Sequence, residues 1–330
     1  MGRLASELLT RNAEVAAMRV VFWGVRGALP TPASTHLGYG GNTACVSVWT
    51  DAQELVVFDA GTGIRGLGQE LLDHAADGPI IGSILISHFH WDHIMGLPFF
   101  LPLYRANSHF SFYSFRHPEN SFQEILERQM SNPYFPVAMG ELAGQRAFYE
   151  IGEQCLELGT CTVTTRRLNH PQGCMGYRLE SAGCVVTFAT DHEPDDGPFD
   201  RNLMELAFDS DLLILDAQYS RAEYQERRRG WGHGTWEKAV DLARAARAKQ
   251  LVLFHHDPDR TDAELSEIEQ RAQERHPAVF AAYEGMEIEL TEQASAGNRL
   301  QALRALATAV GSSDRPRASG TPLAPRVGTP

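Results

Sequence analysis

The sequence predicts an α/β fold with layered sheets. Short runs of β-branched and apolar residues recur along most of the chain, segments of helical spacing alternate with them, and Gly/Pro clusters punctuate both. Hydrophobic content of 43% beside 22% charged residues supplies the apolar surface that such layers must bury. A chain of 330 residues suits one large domain or two small ones.

Taken in order, residues 1–17 read as a short polar helix or N-terminal extension without the apolar run of a signal peptide. Met1-Gly2 with Ser6 fits the loose myristoylation pattern. The main domain is expected over 18–293. Its first strands are RVVFWG (19–24), CVSVW (45–49) and LVVFDAG (55–61), with GALPTP (27–32) and GYGGN (38–42) as turns. A helix is expected over 64–75, then a buried strand, IGSILIS (81–87). Residues 94–148 form a long excursion rich in aromatics, among them Phe99, Phe100, Tyr104, Tyr134 and Phe135, and are expected to make a hood over the active site. Strands resume at CTVTTRRL, GYRLE, CVVTFAT and DLLILDA. The recurrence of Ala239, Val240, Leu242, Ala243 and Ala246 predicts a helix over 236–249. LVLFHH (251–256) is a further strand and 262–275 a further helix. A C-terminal helix is expected over 294–310, and the Gly, Ser, Pro and Arg composition of 311–330 predicts a disordered tail.

The formal charge of −13 repels nucleic-acid phosphates and anionic membranes at long range, which favours a small-molecule substrate over a nucleic-acid polymer. No stretch is long enough to cross a bilayer. Five cysteines, Cys45, Cys155, Cys161, Cys174 and Cys184, without a C-x-x-C pair, read as free thiols of a cytoplasmic protein.

The chemistry concentrates in ILISHFHWDHIMG. A buried strand delivers His88, His90 and Asp92 at alternating positions that can face one pocket, and His93 follows where a helix can start. Imidazole nitrogens and a carboxylate are the ligand set of Zn²⁺ and its neighbours.

This H-x-H-x-D-H run resembles the signature of the metallo-β-lactamase superfamily, and further motifs follow in the family's order from about Arg19 to Leu290. The resemblance implies an αββα four-layer sandwich of two mixed sheets flanked by helices. It also implies two divalent metal ions, Zn²⁺ first, with Mn²⁺ or Fe as substitutes. One metal would sit on His88, His90 and His170 (LNHPQG), the other on Asp92, His93 and His255 (LVLFHH), with Asp191 (FATDHE) shared. Asp59 (VVFDAGTG) would buttress the metal loop, His256 would stand behind His255, and Asp195 and Asp196 would be a solvated turn. A metal-bridging hydroxide would make the attack, and Asp92 and Asp59 join His233 as catalytic candidates.

DLLILDAQYS followed by GWGHGTWEKAVDLA resembles the segment that ribonuclease Z and related phosphodiesterases carry before the last motif. His233 would reach the leaving oxygen there, and Asp216 stands where those enzymes usually carry a glutamate that orients it. Ribonuclease Z grips tRNA with a long Gly/Pro-rich arm. Here only 20 residues separate His170 from Asp191 and 41 separate Asp191 from His233, with no such arm. The expectation is therefore a phosphodiesterase acting on a small phosphodiester such as a cyclic nucleotide. The alternatives are a lactone, thioester or β-lactam hydrolase and a tRNA 3′-processing endonuclease. Arg26 (GVRG) and Asn42 (YGGNT) are candidates to hold a substrate phosphate, and the resemblance allows a homodimer.

Overall fold

The computed structural model describes residues 17–291; the expected N-terminal extension, apart from Ala17, the helix over 294–310 and the tail lie outside the described residues. Two seven-stranded mixed sheets face one another. In chain order the strands are β1 (Met18–Gly24), β2 (Cys45–Thr50), β3 (Leu55–Phe58), β4 (Ile80–Leu85), β5 (Ser108–Phe115), β6 (Gln145–Ile151) and β7 (Cys155–Leu158). They continue as β8 (Cys161–Leu168), β9 (Cys174–Ser181), β10 (Cys184–Ala189), β11 (Leu212–Asp216), β12 (Gln250–Phe254), β13 (Val279–Ala281) and β14 (Glu287–Leu290). The first sheet runs β14-β1-β2-β3-β4-β5-β6 and the second β13-β12-β11-β10-β9-β8-β7. Each begins as an antiparallel meander and becomes parallel, at β3–β4–β5–β6 and at β10–β11–β12–β13.

Three apolar clusters make this a four-layer molecule. Between the sheets, Phe58 stacks on Phe188 with ring centroids 4.9 Å apart, and Phe22, Phe254 and Tyr177 close around them. The outer face of the first sheet is covered by α1 (Ile64–Ala75) and the residues around Phe100, Phe122 and Leu126. The outer face of the second is covered by α4 (Pro198–Ala207), α6 (Trp236–Ala245) and α7 (Asp262–Arg275). Completing the set are α2 (Trp91–Ile94), α3 (Phe122–Gln129) and α5 (Arg221–Glu223). Strand β10, CVVTFA, is buried at every position because it lies between β9 and β11 with a cluster on each face, the reading that a run without alternation predicts. Helices α1 and α7 occupy the expected residues. Thr261 and Glu264 cap α7 reciprocally, and Thr235 accepts the Lys238 amide at the start of α6. No helix among the described residues is long and apolar enough to cross a membrane.

Two expectations need correction. The helix expected to reach residue 249 ends at Ala245, because Arg247 takes φ +57° and turns the chain into β12. The excursion over 94–148 is not a hood alone, for it supplies β5 and the start of β6. In SHFSFYSF, Phe110 and Phe112 alternate inward as a half-buried strand requires. The aromatics pack mostly on one another, Phe100 on Phe110 and Phe99 on Phe135, while Tyr134 stays 81% exposed.

The sandwich brings the C-terminal ends of β3, β4, β8, β10, β11 and β12 to one edge. Carboxyl ends of parallel strands are where open α/β sheets place their ligands. Asp59, Asp191 and His255, at or just past three of those ends, have φ of +60°, +55° and +61°. A left-handed turn at a residue other than glycine costs about 1–3 kcal/mol. Three at one edge mark a place where the fold spends stability on the direction of side chains.

Candidate metal centre

Every residue of the expected ligand set converges at that edge. His88 and His90 leave β4 in extended conformation, but the helical turn α2 starts at Trp91, so Asp92 departs with His93 rather than alternating with the first two. The result is two clusters, His88 with His90 and His170, and Asp92 with His93 and His255. Asp191 lies between them. Its Oδ1 is 3.7 Å from His88 Nε2 and 3.6 Å from His170 Nε2, while Oδ2 is 3.3 Å from His93 Nε2 and 3.4 Å from His255 Nε2. All seven are buried except His90, which is half-buried.

The acceptors behind these rings decide which nitrogen faces inward. Asp59, fully buried, accepts the Ser87 amide at 2.6 Å and the Ser87 hydroxyl at 2.8 Å, and lies 2.7 Å from His93 Nδ1. The Ser87 hydroxyl, its proton given to Asp59, can only accept from His88 Nδ1 at 3.1 Å. His170 Nδ1 donates to the Gly232 carbonyl at 2.8 Å, and His90 Nε2 to Gln172 Oε1 at 2.9 Å. Four rings thus have their N–H taken from outside and turn a lone pair inward. His170 Nε2 and His90 Nδ1 then meet at 3.1 Å with no proton between them, and His88 Nε2 is buried without a hydrogen-bond partner. Lone pairs so opposed need a cation. The donor set of neutral imidazoles and carboxylates fits divalent metal ions.

The electrostatics agree. Burial and the neighbouring His93 push the His88 pKa well below its usual range, and burial brings that of His170 down to about 4, so both rings are neutral. Burial works against ionisation of Asp92 and Asp191, but the surrounding imidazoles outweigh it and hold both well below the usual carboxylate range. At His93 burial is outweighed in turn by Asp92, Asp191 and Asp59, which raise its affinity for a proton. A proton and a metal ion compete for that Nε2.

His233 stands over the cluster. Its Nδ1 is 2.9 Å from Asp216 Oδ2 and 3.6 Å from Asp191 Oδ1, and its ring stacks on His255 at 5.0 Å. Asp216 makes this contact although it is one methylene shorter than glutamate, and the amides of His192 and Gln218 that it accepts fix it in place. Burial opposes protonation of His233, yet Asp216 brings its pKa up to about 9. His256 was expected to stand behind His255, but its ring turns away to the Ala282 carbonyl; Asp195 and Asp196 are an exposed turn, as expected. Beside His88 and His90 opens a cavity of about 160 Å³ walled by Phe89, Phe115, His117, Asn120 and Gln172.

Two expected residues are elsewhere. Arg26 is wholly buried, its guanidinium donating to the carbonyls of Gly40, Arg260, Asp257 and His36 at 2.8, 2.6, 3.3 and 3.3 Å. It ties the 36–42 loop to the turn after β12, with Nη2 also 3.8 Å from Asp262 Oδ1, and its complete burial leaves it no access to a phosphate. Replacing Arg26 with methionine is expected to lower stability by roughly 3–5 kcal/mol, since several carbonyls lose their partner at once; urea unfolding of the purified variant measures it. Asn42 gives its amide and side chain to Glu284, the latter at 3.0 Å, and is likewise structural.

Residues the sequence did not flag are Ser87, Gln172 and Glu193, together with Gly27 and Gly232. A Cβ on Gly27 would overlap the His255 ring, and one on Gly232, at φ +87°, the His170 ring. The Ala28 amide donates to Asp92 Oδ2 at 2.8 Å. Asp59→Asn is expected to weaken metal binding about 10–100-fold by releasing His93 and Ser87, read by zinc titration against a chelating dye. Affinity within twofold of the native protein would remove Asp59 from the account.

A family model described as a β-lactamase superfamily domain matches residues 55–256. A ribonuclease Z of Haloarcula marismortui is 25% identical over 312 residues, covering 82% of this chain and 96% of that protein. Among solved structures, the metallo-β-lactamase fold protein YhfI of Bacillus subtilis aligns with TM-score 0.61 at 17% identity, covering 82% of this chain and 98% of its own. A diphosphatase of the PhnP family aligns with TM-score 0.60 at 19% identity, covering 83% and 98%. Both share the two-sheet sandwich described above.

Proposed function

The chain belongs to the metallo-β-lactamase superfamily and is a metal-dependent hydrolase, and from that premise we propose that it cleaves a small phosphodiester at a dinuclear centre. The observation that carries this reading is the Asp216–His233 pair placed over Asp191. Divalent ions held by the two clusters would lower the pKa of water toward neutrality and offset charge on phosphoryl oxygens. The chain's own residues do the rest. Asp59, Ser87, Gln172 and the Gly232 carbonyl hold four imidazoles in the tautomer that presents a lone pair. Asp216 takes His233 Nδ1–H, which leaves Nε2 to give its proton to the departing alkoxide oxygen. Asp59, Asp92, Asp191 and Asp216 are themselves buried, which strengthens each of these contacts.

A ribonuclease reading is favoured by the several relatives named ribonuclease Z, one of them matched along 96% of its length. Against it stand the net charge of −13 and the short spans between the later motifs. The test is hydrolysis of bis-p-nitrophenyl phosphate, a precursor tRNA, a lactone and a chromogenic β-lactam by protein loaded in turn with Zn²⁺ and Mn²⁺. Turnover of the diester above all others supports the proposal. Preferred cleavage of the tRNA promotes the second reading, and turnover of a carbonyl substrate alone rules out both.

A further inference from the structure

One segment beside the centre runs against the charge of the whole protein. After α5 a π-helical turn, Tyr224–Arg228, leads through Arg229 and Trp231 to His233, so that three consecutive arginines and an exposed indole precede the histidine. This is no loose loop. The Glu193 carboxylate accepts from the Tyr224 hydroxyl at 2.7 Å and from the Gly230 and Gly232 amides at 2.8 Å each, while the Gly232 carbonyl holds His170. The loop is therefore fixed to the residue two places after Asp191 and to a ring of the metal cluster.

Arg228 is held by aromatic faces. Its guanidinium carbon lies 4.4 Å from the Trp231 ring centre and 5.4 Å from that of Tyr219, and Tyr219 meets the His233 ring edge-on at 5.9 Å. Stacking fixes a guanidinium without consuming its N–H donors. Among the described residues neither Arg228 nor Arg229 has a carboxylate partner, whereas Arg227 pairs with Glu226 at 3.2 Å. Trp231 keeps 54% of its surface exposed despite the contact with Arg228. Unspent donors next to an exposed ring, two ring contacts from His233, are the elements of a single-stranded nucleotide site: a cation for the backbone and a π face for a base. A linear oligonucleotide carries a further phosphate one nucleotide from the scissile one, an anion that such unspent donors can take.

We propose that Arg228 and Trp231 form a subsite for the nucleotide flanking the scissile phosphate, and that the substrate is a short linear oligonucleotide carrying a second phosphate. This rests on the phosphodiesterase reading and narrows it, from diesters in general to those with an anion one unit away.

The test uses the full-length, metal-loaded protein and four probes: the 5′-phosphorylated diadenylate pApA, the unphosphorylated ApA, 3′,5′-cyclic AMP and bis-p-nitrophenyl phosphate. Native protein is expected to favour pApA over ApA about tenfold in kcat/KM, chiefly through KM, and to favour either over the cyclic nucleotide. Arg228→Gln is expected to abolish the pApA preference, Trp231→Ala to weaken both dinucleotides about tenfold, and Arg227→Gln to keep the native ratio. A ratio near one in the native protein, a ratio unmoved by Arg228→Gln, or a preference for cyclic AMP overturns the subsite. If bis-p-nitrophenyl phosphate is hydrolysed in that event, the phosphodiesterase reading survives without it. If no diester is hydrolysed, both fall.

Discussion

Asp191→Asn is expected to lower kcat/KM for any diester by roughly 10³-fold or more, equivalent to about 4 kcal/mol of transition-state stabilisation, and to cost the protein at least one metal ion. The reason is position. The Asp191 carboxylate faces both clusters, with Oδ1 toward His88 and His170 and Oδ2 toward His93 and His255. The Asn side chain has nearly the same shape but carries no charge and presents one oxygen and one NH₂, so one half of the site meets donors where it had an acceptor. The backbone should tolerate the change, because Asn accepts the φ of +55° at this residue as readily as Asp. Loss of activity would then reflect the centre and not the fold. Metal content and kcat/KM measured on one preparation decide the matter; a variant with full metal and activity within tenfold would take Asp191 out of the centre.

His233→Ala is expected to reduce hydrolysis of an alkyl phosphodiester by about 10²–10⁴-fold while leaving metal content unchanged. The loss should be smaller for bis-p-nitrophenyl phosphate, whose leaving group departs well as an anion. That contrast separates a proton donor from a residue that only shapes the pocket. Asp216→Asn should reproduce part of the effect, because the partner of His233 Nδ1 at 2.9 Å would no longer fix its tautomer. Equal losses on both substrates would contradict the assignment of His233 to the leaving group.

What could be read in the sequence follows a physical rule. The candidate ligands could be picked out because a metal site needs particular donors at strand ends, and H-x-H-x-D-H together with the isolated His170, Asp191 and His255 keeps such donors in recognisable places, which the fold brings together. Helix α7 was legible because its cap, Thr261 with Glu264, is local. What failed or went unseen is long-range. Ser87 gains its role from Asp59, 28 residues away, and His170 is held by a backbone carbonyl 62 residues away, which no side-chain pattern announces. Arg26 misled for the same reason. A glycine-rich loop looks ready for phosphate, but the carbonyls that consume its guanidinium come partly from 257 and 260, across the sandwich. Strand β5 was hidden inside its own aromatics, read as a covering when their alternation marked a sheet.

The proposed centre would hold two metal ions on named side chains, and its most direct test is the number of divalent ions per chain, counted by native mass spectrometry after loading with Zn²⁺. Two ions in the native protein, with loss of at least one in Asp191→Asn, is the predicted result. A single ion at saturation, or two that persist unchanged in the variant, would contradict the centre described here.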